Sequence, residues 1–131
     1  MNQTGAGLQS KTLFGIWLAL GVLPLSLLVS GCHSAFVETT IANQADSPAR
    51  LVEVDYPSAS FGVSSIAAHA TFRYRFKIQG SGPLKIEFTG ADGKLHDSDG
   101  PVLNQGQEGR LDIVIGPDGV VRWQPSLITS H

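Results

Sequence analysis

The sequence has one cysteine, Cys32, so it cannot form an intramolecular disulfide. It has no excess of basic charge either, because nine Lys and Arg stand against eleven Asp and Glu. The basic surface of a nucleic-acid-binding protein is therefore not expected. No apolar run reaches the roughly 20 residues of a typical transmembrane helix. What remains, in 131 residues of which 42% are hydrophobic, is one folded domain with a single core.

Acidic residues are missing from the first 31 positions, where Lys11 is the only charged side chain. An uncharged, mostly apolar run of 17 residues follows at 13–29, interrupted by Gly15, Gly21 and Pro24. A cationic start followed by a short apolar run is typical of a secretory signal peptide, and the interruptions make a poor permanent anchor. We expect residues 1–31 to form a signal helix that is removed. The alternative is an uncleaved transmembrane helix followed by an ordinary thiol.

The apolar run ends in Val29-Ser30-Gly31-Cys32, an aliphatic residue and two small residues directly before the cysteine. This segment resembles the lipobox of bacterial lipoproteins. In that family a signal peptidase cuts before the cysteine, whose sulfur carries a diacylglycerol. The resemblance implies that Cys32 becomes an acylated N-terminus and that this covalent lipid is the only cofactor. The next residue is His33 and not Asp, which by the same resemblance implies the periplasmic face of the outer membrane.

After Cys32 the clearest pattern is strict alternation over residues 72–78. Apolar side chains alternate with basic ones: Phe72, Tyr74, Phe76 and Ile78 with Arg73, Arg75 and Lys77. A period of two predicts a half-buried β-strand. Residues 84–88 repeat the alternation after the turn-forming residues 80–83, so the two segments are predicted to pair as a hairpin.

Further strands are predicted at residues 36–42, 50–56, 111–115 and 120–123, with a short one at 95–96. Residues 61–63 are either a short strand or a loop crossing between sheets. Short strands spaced by about ten residues predict an all-β fold, a small antiparallel immunoglobulin-like β-sandwich, with a small β-barrel as the alternative. The predicted boundaries are a tether at 32–35, the sandwich at 36–124 and a C-terminal tail at 125–131.

A candidate binding loop contains Tyr56 and Phe61, because a turn-rich segment places two aromatic residues where one could be exposed. Exposed aromatic side chains stack on sugars or fill pockets of a partner. The simpler interpretation is that Phe61 caps one end of the core.

A candidate calcium loop contains Asp92, Asp97 and Asp99, since oxygen ligands at alternate positions before a glycine are typical of calcium-binding turns. Leu95 and Gly106 stand where an EF-hand loop needs further ligands. A polar turn without metal is therefore the favoured interpretation.

Catalytic motifs are absent from the sequence. It has no Gly-x-Ser-x-Gly segment, and its four histidines show no zinc-ligand spacing. We therefore expect a non-catalytic lipoprotein of the cell envelope, without metal or nucleic acid, that binds a protein partner or supports an envelope assembly. The alternative is a module that binds a small ligand or glycan through the loops at 56–61 and 92–99.

Overall fold

The computed structural model describes residues 35–129, which form eight β-strands in two four-stranded sheets. The first sheet has the order β4-β1-β7-β8 and consists of β1 (Val37–Asn43), β4 (Thr71–Phe76), β7 (Gln107–Ile115) and β8 (Val121–Thr129). The second sheet has the order β3-β2-β5-β6 and consists of β2 (Ala49–Tyr56), β3 (Ala59–Ile66), β5 (Gly82–Thr89) and β6 (Leu95–Leu103). The predicted signal segment and Cys32 lie outside the described residues.

These two sheets confirm the predicted all-β sandwich, and the described strands do not close into the barrel that was the alternative. Neighbouring strands pair antiparallel except for β1 and β7, which are parallel. The strand order differs from the constant-type immunoglobulin order, in which the first, second, fourth and fifth strands share one sheet. The likeness to immunoglobulin domains is therefore one of architecture. Residues 35–129 contain no helix whose length and hydropathy would let it cross a membrane.

The core lies between the sheets and is built by alternation along the strands. In β5, Leu84, Ile86 and Phe88 point inward and are at most 2% exposed, while Lys85 and Glu87 point outward. The same period buries Ile41 in β1 and Leu111, Ile113 and Ile115 in β7. Full burial of one such apolar side chain contributes about 1.5–3 kcal/mol, so the core stabilises the domain without a disulfide.

The predicted hairpin between residues 72–78 and 84–88 is wrong, because β4 and β5 belong to different sheets. β4 pairs with β1, whereas β5 pairs with β2 and β6. Residues 77–81 cross from one sheet to the other, and Ile78 is buried in the core at the crossing. Alternation shows which side chains share a face, but it does not identify the partner strand.

Several strands are longer than predicted, among them β3 and β7, and the difference is largest for β6 and β8. β6 runs from Leu95 to Leu103, through the segment that was expected to turn, and β8 continues to Thr129. The predicted end of the sandwich at residue 124 is therefore too early, and residues 125–129 belong to it. Both are edge strands, where the prolines Pro101 and Pro125 are tolerated because one side of the strand needs no ladder hydrogen bonds.

Candidate functional site

The predicted binding loop is mostly strand, and its aromatic residues face the core. Only residues 57–58 form the turn between β2 and β3. Phe61 is 6% exposed and its ring stacks on Tyr74 at 4.2 Å between centroids, while Tyr56 packs against Phe76 at 4.3 Å. Burial, with a further effect of Tyr74, raises the pKa of Tyr56. Phe61 is thus a core residue at the open side of the sandwich between β3 and β4, and not an exposed loop aromatic.

The three carboxylates of the candidate calcium loop do not come together. Asp97 and Asp99 lie on the outward face of β6, whereas Asp92 lies in the turn before it and contacts His96 on the inward face. Among residues 35–129, no group of three His, Cys, Asp or Glu side chains could hold a metal ion. Asp97 and Asp99 are separated from Asp92 because successive side chains of an extended strand point to opposite faces.

Two turns of the same design meet at one end of the sandwich. Residues 90–94 and 116–120 both have the pattern Gly-x-Asp-Gly-x, and each joins two neighbouring strands. Each turn closes with the same three hydrogen bonds, of which the aspartate accepts one: Lys94 N to Asp92 Oδ1 at 2.9 Å and Val120 N to Asp118 Oδ1 at 3.1 Å. The second glycine has φ of 72° in one turn and 79° in the other, a conformation that favours glycine. The sequence contained this repeat, and comparing the two segments would have revealed it.

His96 fills the space between the two turns. Its ring stacks on Phe88 at 5.2 Å, and its Nε2 lies 3.1 Å from both carboxylate oxygens of Asp92. A Cβ on Gly90 would lie 2.9 Å from the Nε2 atom, and one on Gly119 would lie 3.2 Å from the ring. Because neither glycine has a side chain, the imidazole of His96 fits between the two turns.

A cavity of about 170 Å³ opens beside this histidine, lined among others by Asn43, Asp92, His96 and Asp118. It is smaller than the roughly 300–1,000 Å³ of typical small-molecule sites. The backbone N–H of Lys94, with a further contribution from His96, lowers the pKa of Asp92. The arrangement stabilises the end of the sandwich, and the hydrogen-bond partner of the imidazole within residues 35–129 is the Asp92 carboxylate.

We expect the stability contributed by Asp92 to depend on pH. Because folding lowers its pKa, the charged carboxylate stabilises the folded state above its ordinary pKa of about 3.8, and this contribution is lost as the pH falls through the folded-state value. Asp92→Asn keeps an acceptor for Lys94 N but has no charge to lose. The melting temperature of the variant should be lower than that of the wild type at pH 7, and the difference should shrink progressively as the pH falls below about 4. A difference that stays constant from pH 7 to pH 2 would contradict this.

The outer face of the second sheet carries more acidic than basic side chains, the basic ones being Arg50 and Lys85. Five carboxylates on β2, β5 and β6 form what we call the acidic face: Glu53, Asp55, Glu87, Asp97 and Asp99. The register places Glu53 opposite Glu87 and Glu87 opposite Asp97, a row of three like charges across three strands. Like charges directly opposite each other destabilise a sheet. Sequence analysis missed this face because register is not visible in a single strand.

Lys85 is the central cation of the acidic face. Its Nζ lies 3.0 Å from Glu87 and 3.9 Å from Asp97, and the hydrogen bond to Glu87 is the largest influence that raises the pKa of Lys85. Glu53 and Asp55 form no ion pair within residues 35–129. Both lie on β2, next to the edge strand β3.

The outer face of the first sheet carries arginines instead. Arg73 and Arg75 project from the edge strand β4, and Arg75 contacts Glu38 at 3.5 Å and the Phe36 ring at 3.9 Å. Arg110 lies 3.6 Å from Asp112 on β7. The outer face of the first sheet therefore mixes arginines with Glu38 and Asp112, whereas carboxylates predominate on the second sheet.

Comparisons with known proteins show a likeness of fold. No protein-family model matches the chain, and no curated protein matches it. The NMR structure of a protein from Eubacterium rectale is similar, with a TM-score of 0.50 and 13% sequence identity over 72% of this chain and 93% of that one. At this identity the similarity shows a shared sandwich fold and carries no information on function.

Proposed function

We propose that this protein is a lipid-anchored protein of the bacterial cell envelope whose β-sandwich binds another protein without catalysing a reaction. The observation that carries the anchor is Val29-Ser30-Gly31-Cys32 at the end of an uncharged apolar run. Acyl chains contribute about 0.8 kcal/mol per buried methylene, and two or three chains together hold a protein durably on a bilayer. We place the domain at the periplasmic face of the outer membrane, as the residue His33 after the cysteine suggests.

The position of the first strand supports this proposal. β1 begins at Val37, so four residues separate it from Cys32. A fully extended chain spans at most about 3.5 Å per residue, which limits the tether to about 14 Å. A sandwich on such a tether stays close to the membrane surface and meets partners within the same envelope layer.

Two features favour a protein partner over a small ligand. The cavity beside His96 is only about 170 Å³, too small for most small-molecule ligands. The acidic face, in contrast, is an exposed surface whose Glu53 and Asp55 carboxylates form no ion pair with any residue of 35–129. Neither His96 nor His69 has a serine or threonine hydroxyl as a partner in the described hydrogen bonds, and each contacts an aspartate instead.

We expect Cys32→Ala to abolish acylation and release the protein from membranes. Without the sulfur no diacylglycerol can be attached, so the variant should not incorporate radiolabelled palmitate. It should also stay in the supernatant when membranes are sedimented, whereas the wild type should sediment with them. His33→Ala is the matched control, since it changes the neighbouring residue and keeps the thiol, and it should still be labelled. A Cys32→Ala variant that remains labelled with palmitate would overturn the anchor.

A further inference from the structure

The four edge strands differ in how they resist pairing with another strand. Prolines interrupt the ladder hydrogen bonds at an exposed edge, and they are present on β6 (Pro101) and on β8 (Pro125). β4 has no proline but carries Arg73 and Arg75, which disfavour pairing except with a surface of opposite charge. β3 has neither. Its eight residues, Ala59–Ile66, include no charged side chain and no proline, and they pair with β2 in one unbroken register.

We propose that the β3 edge binds the β4 edge of a second copy of this chain, so that two sandwiches join side by side. Both edges lie on the same side of the sandwich, where Phe61 of β3 stacks on Tyr74 of β4. A two-fold axis parallel to the strands would pair β3 with the partner's β4 and β4 with the partner's β3. The interface is then self-complementary, as expected for a two-fold dimer.

Charge complementarity selects this pairing. Glu53 lies opposite Gly62 of β3, and Asp55 lies opposite Ser60. Because these two β3 residues are small, a long basic side chain on an added strand can lie across β3 and approach both carboxylates. Arg73 and Arg75 are two residues apart on β4, and Glu53 and Asp55 are two residues apart on β2. The two arginines and the two carboxylates are therefore spaced by the same distance, about 6.8 Å, along their strands.

The same charges disfavour the other edge pairings. Two β4 strands side by side would bring four arginines together, and two β3 strands would bring the carboxylates of two β2 strands closer. A shallow groove of about 450 Å³ runs along the outer side of β2 and β3, lined by Leu51, Glu53, Ser60, Gly62 and Ser64. It provides the space that the basic side chains need.

Apolar contact adds to the attraction. Leu51 is 71% exposed in the groove, and Tyr74 is 40% exposed at the open side of the sandwich. An added strand would cover part of the exposed Tyr74 ring. Aromatic residues at the centre of an interface contribute strongly to binding because they bury a large area with few rotatable bonds.

Charge reversal tests this interface with the full chain purified in a nonionic detergent. By analytical ultracentrifugation the wild type should form a dimer that weakens as salt is added. Glu53→Arg/Asp55→Arg and Arg73→Glu/Arg75→Glu should each raise the dimer dissociation constant at least about tenfold. Mixing the two variants should restore dimers, because both contacts of the mixed dimer then join opposite charges. This recovery also shows that both variants are folded.

The matched control is Asp97→Arg/Asp99→Arg, which reverses two charges at the far edge of the same sheet and should leave the dimer unchanged. A chain that stays monomeric up to about 100 μM would overturn the proposal. A dimer that survives both reversals would overturn it as well. Neither result bears on the anchor, which palmitate labelling tests separately.

Discussion

Replacing Gly109 with alanine should lower the free energy of unfolding by about 4 kcal/mol. Gly109 lies in β7 with φ of 133°, a region that residues with a side chain rarely adopt. A Cβ at this position would overlap the carbonyl oxygen of Ser126 on β8, and the glycine N–H donates to the Phe36 carbonyl at 3.1 Å. The substitution therefore strains the backbone and separates the central strand from its neighbours. Chemical denaturation measures the loss.

Gly80→Ala is the matched control for that substitution. Gly80 also has a positive φ, 97°, but a Cβ there would meet no atom within 4 Å. Gly80→Ala should lower the free energy of unfolding only through the unfavourable backbone conformation, by about 1 kcal/mol. If both substitutions had equal effects, the close approach of β7 and β8 at Ser126 would not contribute to stability.

Asn43→Ala should lower the free energy of unfolding by about 3 kcal/mol. The side chain is 1% exposed at the end of β1, and its Nδ2 donates to the carbonyls of Ser47, Ile66 and Ala67 at 2.9–3.2 Å. Its Oδ1 accepts from Ala45 N at 3.1 Å. One amide thus joins the loop after β1 to the loop after β3, and alanine would remove all of these hydrogen bonds, while Ala67 O keeps the N–H of Ala70 as a partner in the adjoining turn.

The control for this prediction is Asn104→Ala. Asn104 is exposed in the loop after β6, and its loss should change the unfolding free energy by no more than about 0.5 kcal/mol. If Asn43→Ala has an equally small effect, water replaces the amide and the link between the loops is not structural.

The positions of most strands could be predicted because alternation is a local property. Residues 72–78 were predicted as a strand from their alternating side chains, and β4 covers residues 71–76. The partner of that strand could not be predicted in the same way. A short connection usually joins neighbouring strands, but here Ile78 enters the core and leads the chain into the other sheet.

The length of β6 depended on contacts that are distant in sequence. The segment Asp97-Ser98-Asp99-Gly100-Pro101 has the composition of a turn, yet all of it is strand. Trp123 of β8 lies so close to Gly100 that a Cβ there would approach its ring to 2.8 Å, and its Nε1 donates to the Ser98 hydroxyl at 3.1 Å. Pairing with β5 and the packing of a tryptophan from the other sheet thus hold this segment as a strand.

The candidate site was predicted less well than the fold, and register explains the difference. Asp97 and Asp99 were singled out as calcium ligands because of their spacing along the chain. Their position opposite Lys85 and Glu87 follows only from strand pairing, and so does the row of carboxylates that begins with Glu53. A surface built across three strands has no signature in one of them.

The anchor and the proposed dimer would reinforce each other. Proteins held on a membrane by short tethers share a thin layer, which raises their effective concentration without any new contact. An interface of modest affinity between β3 and the partner's β4 would then be occupied on the membrane. The acidic carboxylates farther from that edge, Glu87, Asp97 and Asp99, would stay open to another protein.

Mass spectrometry of the N-terminal peptide from the protein isolated from bacterial membranes tests the central claim most directly. The anchored protein should begin at Cys32, without residues 1–31, and should carry the mass of a diacylglycerol with an additional acyl chain on the amino group. An N-terminal peptide that still contains Gly31 joined to an unmodified Cys32 would contradict the lipid anchor and the envelope function built on it.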